Sequence, residues 1–197
     1  MQLTPSIRVS NEPWLVSAPA DWPPLPLRKA GSFLSGGTPD TTRLDYWDGD
    51  IPWVSSQDVR GSVLHETSRT ITPEGLGASS ARMAPAGALV FVMRSGILRH
   101  TLPVSRLATD SAVNQDIKAL LPGVGAPWDM RYIVYFIQGW QSDLLKAWRD
   151  QGATVESIKF DAMLRALLPV PPIELQKTIA DYLDAETARV DELVAEK

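Results

Sequence analysis

One pattern in the chain could support hydrolytic chemistry: Pro39-Asp40 followed by Asp116-Ile117-Lys118, in which carboxylates hold a metal ion and a lysine assists the attacking water. The two halves stand more than seventy positions apart, so a metal-dependent nuclease is an alternative reading and not the leading one. Other chemistries lack their parts. With no cysteine, and with His65 and His100 far apart, thiolate sites and a histidine-rich metal site are not expected. Gly123-Val124-Gly125 is too short to be a cofactor-binding glycine loop, no nucleophile elbow occurs, and no Pro-Pro-Tyr-type methyltransferase block is present. These absences point to a chain that binds without catalysing, with no cofactor.

Charge refines that expectation. The net charge of -4 seems unsuited to a phosphate-rich partner, yet the acids and bases from Ile173 onward account for all of it. The preceding body is neutral and can carry a basic face. Its cations are mostly arginines, which suit bidentate contacts to phosphate or guanine; arginines scattered as solvating charge are the plain alternative.

The elements that would position these residues can be read from pattern. The chain's 197 residues, 44% of them apolar, suffice for one domain with an appendage, and no internal repeat or low-complexity tract interrupts it. Met1 to about Pro26, rich in Pro, Ser and Trp, predicts an extended arm pinned by tryptophans. Ser35-Gly36-Gly37-Thr38-Pro39 predicts a tight turn, and Ile51-Pro52-Trp53-Val54 an edge strand or strand start, with a capped turn at Ser55-Ser56-Gln57-Asp58. A helical turn is expected from Thr72-Pro73, and strands at Ala88 to Met93, His100 to Val104 and Ala112 to Leu121. Asp129 to Arg149 predicts one helix with Ile133, Phe136, Ile137, Trp140, Leu144 and Trp148 on its apolar stripe, Val155 to Leu164 a shorter one, and Ala166 to Val170 a strand. After Pro171-Pro172 the pattern predicts a long helix to the last residue, roughly 37 Å, with Ile179, Leu183, Val190 and Leu193 near a heptad seam interrupted by Glu186. No basic-apolar leader and no run of the ~18 apolar residues that span a bilayer is present, so a cytoplasmic protein is expected.

Four segments, in order, resemble the specificity subunits of Type I restriction-modification systems. They are Pro19-Ala20-Asp21-Trp22 with Gly36-Gly37-Thr38-Pro39 and Tyr46-Trp47-Asp48-Gly49-Asp50-Ile51-Pro52-Trp53; Glu74-Gly75-Leu76 with Ser79-Ser80-Ala81; Asn114-Gln115; and Pro169-Val170-Pro171-Pro172-Ile173-Glu174-Leu175-Gln176 followed by Tyr182-Leu183-Asp184. Leu175 departs from the second acid usual there, and one copy of the pattern is present where complete subunits carry two. The chain is therefore expected to be a half-subunit that pairs with another copy, or part of a longer protein.

The resemblance implies an α+β fold: a β-rich target-recognition domain with flanking helices over residues 1–170, then the start of a coiled-coil spacer helix over 171–197. It implies sequence-specific binding of double-stranded DNA at one half of a bipartite target. Its implied partners are a modification (methyltransferase) subunit, an ATP-dependent restriction subunit, and a second copy or second recognition domain. Base reading asks for Arg or Lys opposite guanine and Asn or Gln opposite adenine, each pair giving roughly 1–3 kcal/mol of discrimination. The candidates are Arg43, the Ser55, Ser56 and Gln57 turn, and the Arg94, Arg99 and His100 group, with Thr154 and Lys159 serving phosphates. Asn114 and Gln115 are expected to bond backbone, and Trp47 and Trp53 to close a core in preference to stacking on a base. Ile179, Leu183, Glu186, Val190 and Leu193 are the partner-helix candidates. A helix-pairing adaptor that touches no nucleic acid is the other alternative.

Overall fold

Leu89–Val92, fully buried, forms strand β7 at the centre of the protein. The computed structural model describes residues 12–150 and 155–195. An unbroken apolar run belongs to a strand covered on both faces. Here β7 lies inside a five-stranded sheet ordered β2-β10-β7-β8-β4, formed by β2 (Gly31–Ser35), β4 (Val63–Leu64), β8 (Val104–Leu107) and β10 (Ile117–Pro122). All its neighbours pair antiparallel except β4 and β8, which are parallel.

A second sheet, ordered β5-β3-β9-β6, contains β3 (Trp47–Val54), β5 (Thr70–Ile71), β6 (Arg82–Ala84) and β9 (Ser111–Val113). Strand β3 begins earlier than expected and is an inner strand, not an edge. Pro52 is tolerated there because Trp53 N–H bonds toward β5, at Arg69 O (3.1 Å), so the proline nitrogen faces the β9 side. Pairing with β9 starts only at Trp53. Trp47 and Trp53 meet edge to face at 5.2 Å in a small core with Ile71, Ala81 and Ala112. They close that core, as the sequence suggested.

The expected single strand Ala112 to Leu121 is two strands in different sheets. Asn114 causes the break: its N–H donates to Val54 O (3.1 Å), and its side-chain oxygen accepts from Asp116 N–H (3.0 Å). The chain then crosses to β10, while Met93 N–H bonds Asp116 O. Residues 36–40 run past this crossing without a tight turn. A Cβ on Gly36 would lie 1.8 Å from Val113 O and one on Gly37 1.9 Å from Ser80 Oγ, so these glycines permit close approach. The strand expected at His100 to Val104 begins only at Val104. Before it, Gly96–Arg99 coils into a 3-10 turn capped by Ser95.

Among the helices, α1 (Pro13–Val16) buries Trp14, whose indole donates to Leu167 O (2.8 Å). This pins the N-terminal arm by a tryptophan as expected, but residues 13–22 form a short helix and turns and are not extended; Met1 to Asn11 lie outside the described residues. Strand β1 (Pro24–Pro26) follows and pairs with β11 (Leu167–Pro169), joining distant parts of the chain. Thr72 caps the short α2 (Pro73–Gly77). The helix expected over Asp129 to Arg149 is two, α3 (Met130–Gly139) and α4 (Gln141–Trp148). Gly139 is a poor helix former, and Trp140 leaves helical geometry (φ -106, ψ 15). The bend turns Leu144, Leu145 and Trp148 into the main core. The helix expected over Val155 to Leu164 is confined to α5 (Phe160–Arg165).

Pro172 O accepts from Leu175 and Gln176 N–H and opens α6 (Ile173–Ala195), about 35 Å long. Its first half packs on α3. Gln176 is fully buried; its Oε1 accepts from Asp129 N–H, and its Nε2 donates to Pro127 O and Pro171 O, each at 2.8 Å. Arg131 reaches Asp129, Asp181 (2.5 Å) and Asp184 (3.0 Å), and the Tyr135 hydroxyl donates to Asp184 (2.6 Å). Ion pairs to Asp129 first, then to Asp181 and Asp184, hold Arg131 firmly protonated. Among the described residues, no helix is long and apolar enough to cross a membrane.

Candidate nucleic-acid interface

Two loops that the sequence analysis singled out separately face one another across a cleft of about 760 Å³. One wall is the turn after β3. Asp58 makes it: its carboxylate accepts from the backbone N–H and the hydroxyl of Ser55 (2.8 and 2.7 Å) and from Ser68 N–H (2.8 Å). That geometry buries Ser55 in the turn and leaves Ser56 and Gln57 on the cleft. The opposite wall is the 3-10 segment, with Ser95, Ile97 and Thr101. Gln138 and Gln141, from α3 and α4, line it as well. Gln138 donates to Gly61 O and Val104 O, and Thr101 donates to Gln141 Oε1 (2.6 Å). Arg60, exposed on the rim, donates to Gln57 O (3.0 Å) and so stiffens the turn.

Beside this cleft, three chain segments run together through short backbone pairings. Arg94 bridges Ser157, Arg149 bridges Ile158, and Ser95 N–H, Ile158 N–H and Lys159 N–H bond Glu156 O, Met93 O and Trp148 O. The strip therefore gathers Arg94, Arg99, Arg149 and Lys159 around Glu156 and Asp150. Arg149 grips Glu156 with two bonds of 2.6 Å, Arg99 adds one of 3.3 Å, and Lys159 lies 3.7 Å from Asp150. The Arg149 guanidinium, and secondarily Arg99, holds the Glu156 carboxyl below the usual carboxylate range. The attraction is thus complete above the ordinary carboxylate pKa and disappears as pH falls through the depressed one. Among the described residues, the Arg94 guanidinium makes no ion pair, and both Arg94 and His100 are exposed.

The remaining candidates are elsewhere. Arg43 is exposed on the loop before β3, paired with Asp45 (2.6 Å) and stacked over Tyr46 at 4.7 Å. Thr154 lies outside the described residues. Asn114 is buried and bonded to backbone, and Gln115 Oε1 accepts from Thr38 (2.7 Å). On α6, Ile179 and Leu183 are half-buried on the body side. Glu186 pairs with Arg189 (2.8 Å), while Val190 and Leu193 stand half exposed beyond the body.

Sequence reasoning missed Arg60, Gln138, Gln141 and Arg149. The two glutamines sit in a helix read only for its apolar stripe; polar residues off that stripe were the available signal. The residues of the hydrolytic alternative are otherwise engaged. Asp40 accepts from the Thr42 N–H and hydroxyl, which depress its pKa, and Lys118 lies over the Phe160 ring at 5.1 Å. Among the described residues, no three acids or histidines cluster to hold a metal.

Comparison with known proteins agrees with this architecture. The specificity subunit of the Type I restriction enzyme EcoR124I/EcoR124II of Escherichia coli is 33% identical over 159 residues, covering 80% of this chain and 39% of that protein. The MjaIX specificity subunit of Methanocaldococcus jannaschii is 27% identical over 168 residues, 84% of this chain and 38% of that protein. The chain thus spans about two fifths of the curated relatives it matches. Among solved structures, the HsdS subunit from Thermoanaerobacter tengcongensis superposes with a TM-score of 0.63 at 18% identity, covering 91% of this chain and 40% of that one. A chain from a structure of a type I R-M system gives 0.66 at 19%, covering 89% and 40%. At such identities these two share the fold. The family model described as Type I restriction modification DNA specificity domain matches residues 19–197, and the chain belongs to that family.

Proposed function

We propose that this chain is a non-catalytic DNA reader: residues 1–170 recognise one half of a bipartite target in duplex DNA, and 171–197 begin the spacer helix that sets the distance to the other half. Methylation and ATP-dependent cleavage belong to partner modification and restriction subunits. A second recognition domain, or a second copy of this chain, reads the other half-site against the exposed Val190 and Leu193 seam.

The observation that carries this reading is the juxtaposition of the Ser56-Gln57 turn and the Ser95-to-Thr101 segment across one cleft, with the arginine strip alongside. Glutamine amides and hydroxyls suit base edges, and the strip suits phosphates. Lys159, exposed, is a further phosphate contact, and Arg43, also exposed, is a further candidate for base reading.

Methylome mapping in a host that carries the matching modification subunit identifies the target. Binding of the chain to that duplex and to a scrambled one then separates roles. R94A and R99A are expected to weaken both equally if they meet phosphate, whereas Q57A is expected to weaken the target alone by roughly 1–3 kcal/mol. A chain that, together with its modification subunit, binds no duplex at low salt would refute the reading.

A further inference from the structure

In the arginine strip, the group at the centre is an acid. The Glu156 carboxylate receives both arms of the Arg149 fork at 2.6 Å and one arm of Arg99 at 3.3 Å. A guanidinium fork matches a carboxylate and a phosphate with the same planar, two-point geometry, so either anion fills it. Glu156 itself is held in place: its carbonyl accepts from Ser95 N–H, and its side chain is only 15% exposed. The arginines are more open, with side chains 36% and 65% exposed for Arg149 and Arg99.

Plain stabilisation of the strip does not require this arrangement. The three segments are already tied by four backbone hydrogen bonds, donated by the N–H groups of Ser95, Asp150, Ile158 and Lys159, which make up the two bridges. A carboxylate at that point instead neutralises part of a basic surface that would otherwise attract any duplex.

From this we infer that Glu156 is an internal stand-in for a backbone phosphate, occupying Arg149 and Arg99 until a correctly seated duplex displaces it. The inference rests on the DNA-reading proposal above. It makes Glu156 a determinant of discrimination: displacing it opposes every encounter, and only a matched target makes the compensating base contacts.

The test uses the full chain, a scrambled duplex and its methylome-defined target, with binding followed by fluorescence anisotropy across a salt series. Glu156→Gln is expected to bind the scrambled duplex roughly 5–10-fold tighter. Its log-log salt slope should steepen by about 0.9 for each phosphate contact released. The ratio of target to scrambled affinity should fall. Glu156→Asp keeps the charge and the fold but draws the carboxylate back by one methylene, and is expected to tighten scrambled binding about 2–3-fold. Glu192→Gln, exposed near the far end of α6 and without an ion pair among the described residues, makes the same change in net charge as Glu156→Gln and should leave the slope unchanged.

If both Glu156 variants keep the wild-type melting profile and bind scrambled DNA no tighter than wild type, the inference is overturned while the DNA-reading proposal stands. If Glu156→Gln fails to fold, Glu156→Asp decides alone. A wild-type chain that binds neither duplex defeats the reading on which this inference rests.

Discussion

Replacing Gln176 by leucine isolates one polar contribution to the junction between body and helix. Leucine nearly matches glutamine in volume, so packing is retained while three hydrogen bonds vanish. The Pro171 carbonyl is fully buried, and losing its donor costs about 1–3 kcal/mol; the partly buried Asp129 N–H and Pro127 carbonyl each add roughly 0.5–1.5 kcal/mol. A loss near 4 kcal/mol lowers the Tm of a chain this size by roughly 8–16 °C. Urea denaturation followed by circular dichroism measures it directly. Gln176→Glu supplies the pH arm. Its second oxygen would face two carbonyl acceptors, which raises the carboxyl pKa in the folded state. The penalty is therefore smallest below the ordinary glutamate value of about 4.3, grows as pH rises toward the raised value, and is constant above it. A leucine variant within about 1 kcal/mol of wild type, with an unchanged urea slope, would show that Gln176 does not lock this junction.

Arg131→Met removes the cation shared by Asp129, Asp181 and Asp184; with partners ranging from mostly buried to exposed, the loss should be about 1–2 kcal/mol. Hydrogen exchange should then quicken roughly 5–30-fold along the first half of α6 and hardly at all in β7, and uniform quickening would contradict the local role. Trp53→Phe deletes the indole bond to Gly37 O (3.1 Å) and trims the contact with Trp47, for a loss of about 2–3 kcal/mol in denaturant titrations. An unchanged stability would mean that the small core around Ile71 is not tightly packed.

Some of the architecture could be read directly because its signals are local. Pro171-Pro172 followed by a helical period foretells α6, and the unbroken run Ala88 to Met93 foretells β7. Thr72-Pro73 foretells a capped turn. What could not be read depends on distant partners. Ala112 to Leu121 is a continuous strand pattern, and only the bonds from Asn114 to Val54 and Asp116 divide it between two sheets. No local feature of Pro24–Pro26 announces that it pairs with Leu167–Pro169. Of the site, the two cleft walls were found as separate polar loops, and their apposition is a tertiary fact. Arg149 escaped notice because its partner, Glu156, follows a break in the pattern.

Gln176 anchors the first turn of α6, and Arg131 and Tyr135 grip it at Asp184 near its middle, whereas the helix runs about 18 Å from Leu183, the last of its half-buried apolar contacts, to Ala195. Over that reach, a tilt of about 10° moves the tip by about 3 Å, close to the 3.4 Å step between stacked base pairs. On the proposed reading, in which α6 sets the distance between half-sites, the rod needs angular tolerance finer than that. Directional bonds supply it better than a greasy contact, which slides with little penalty.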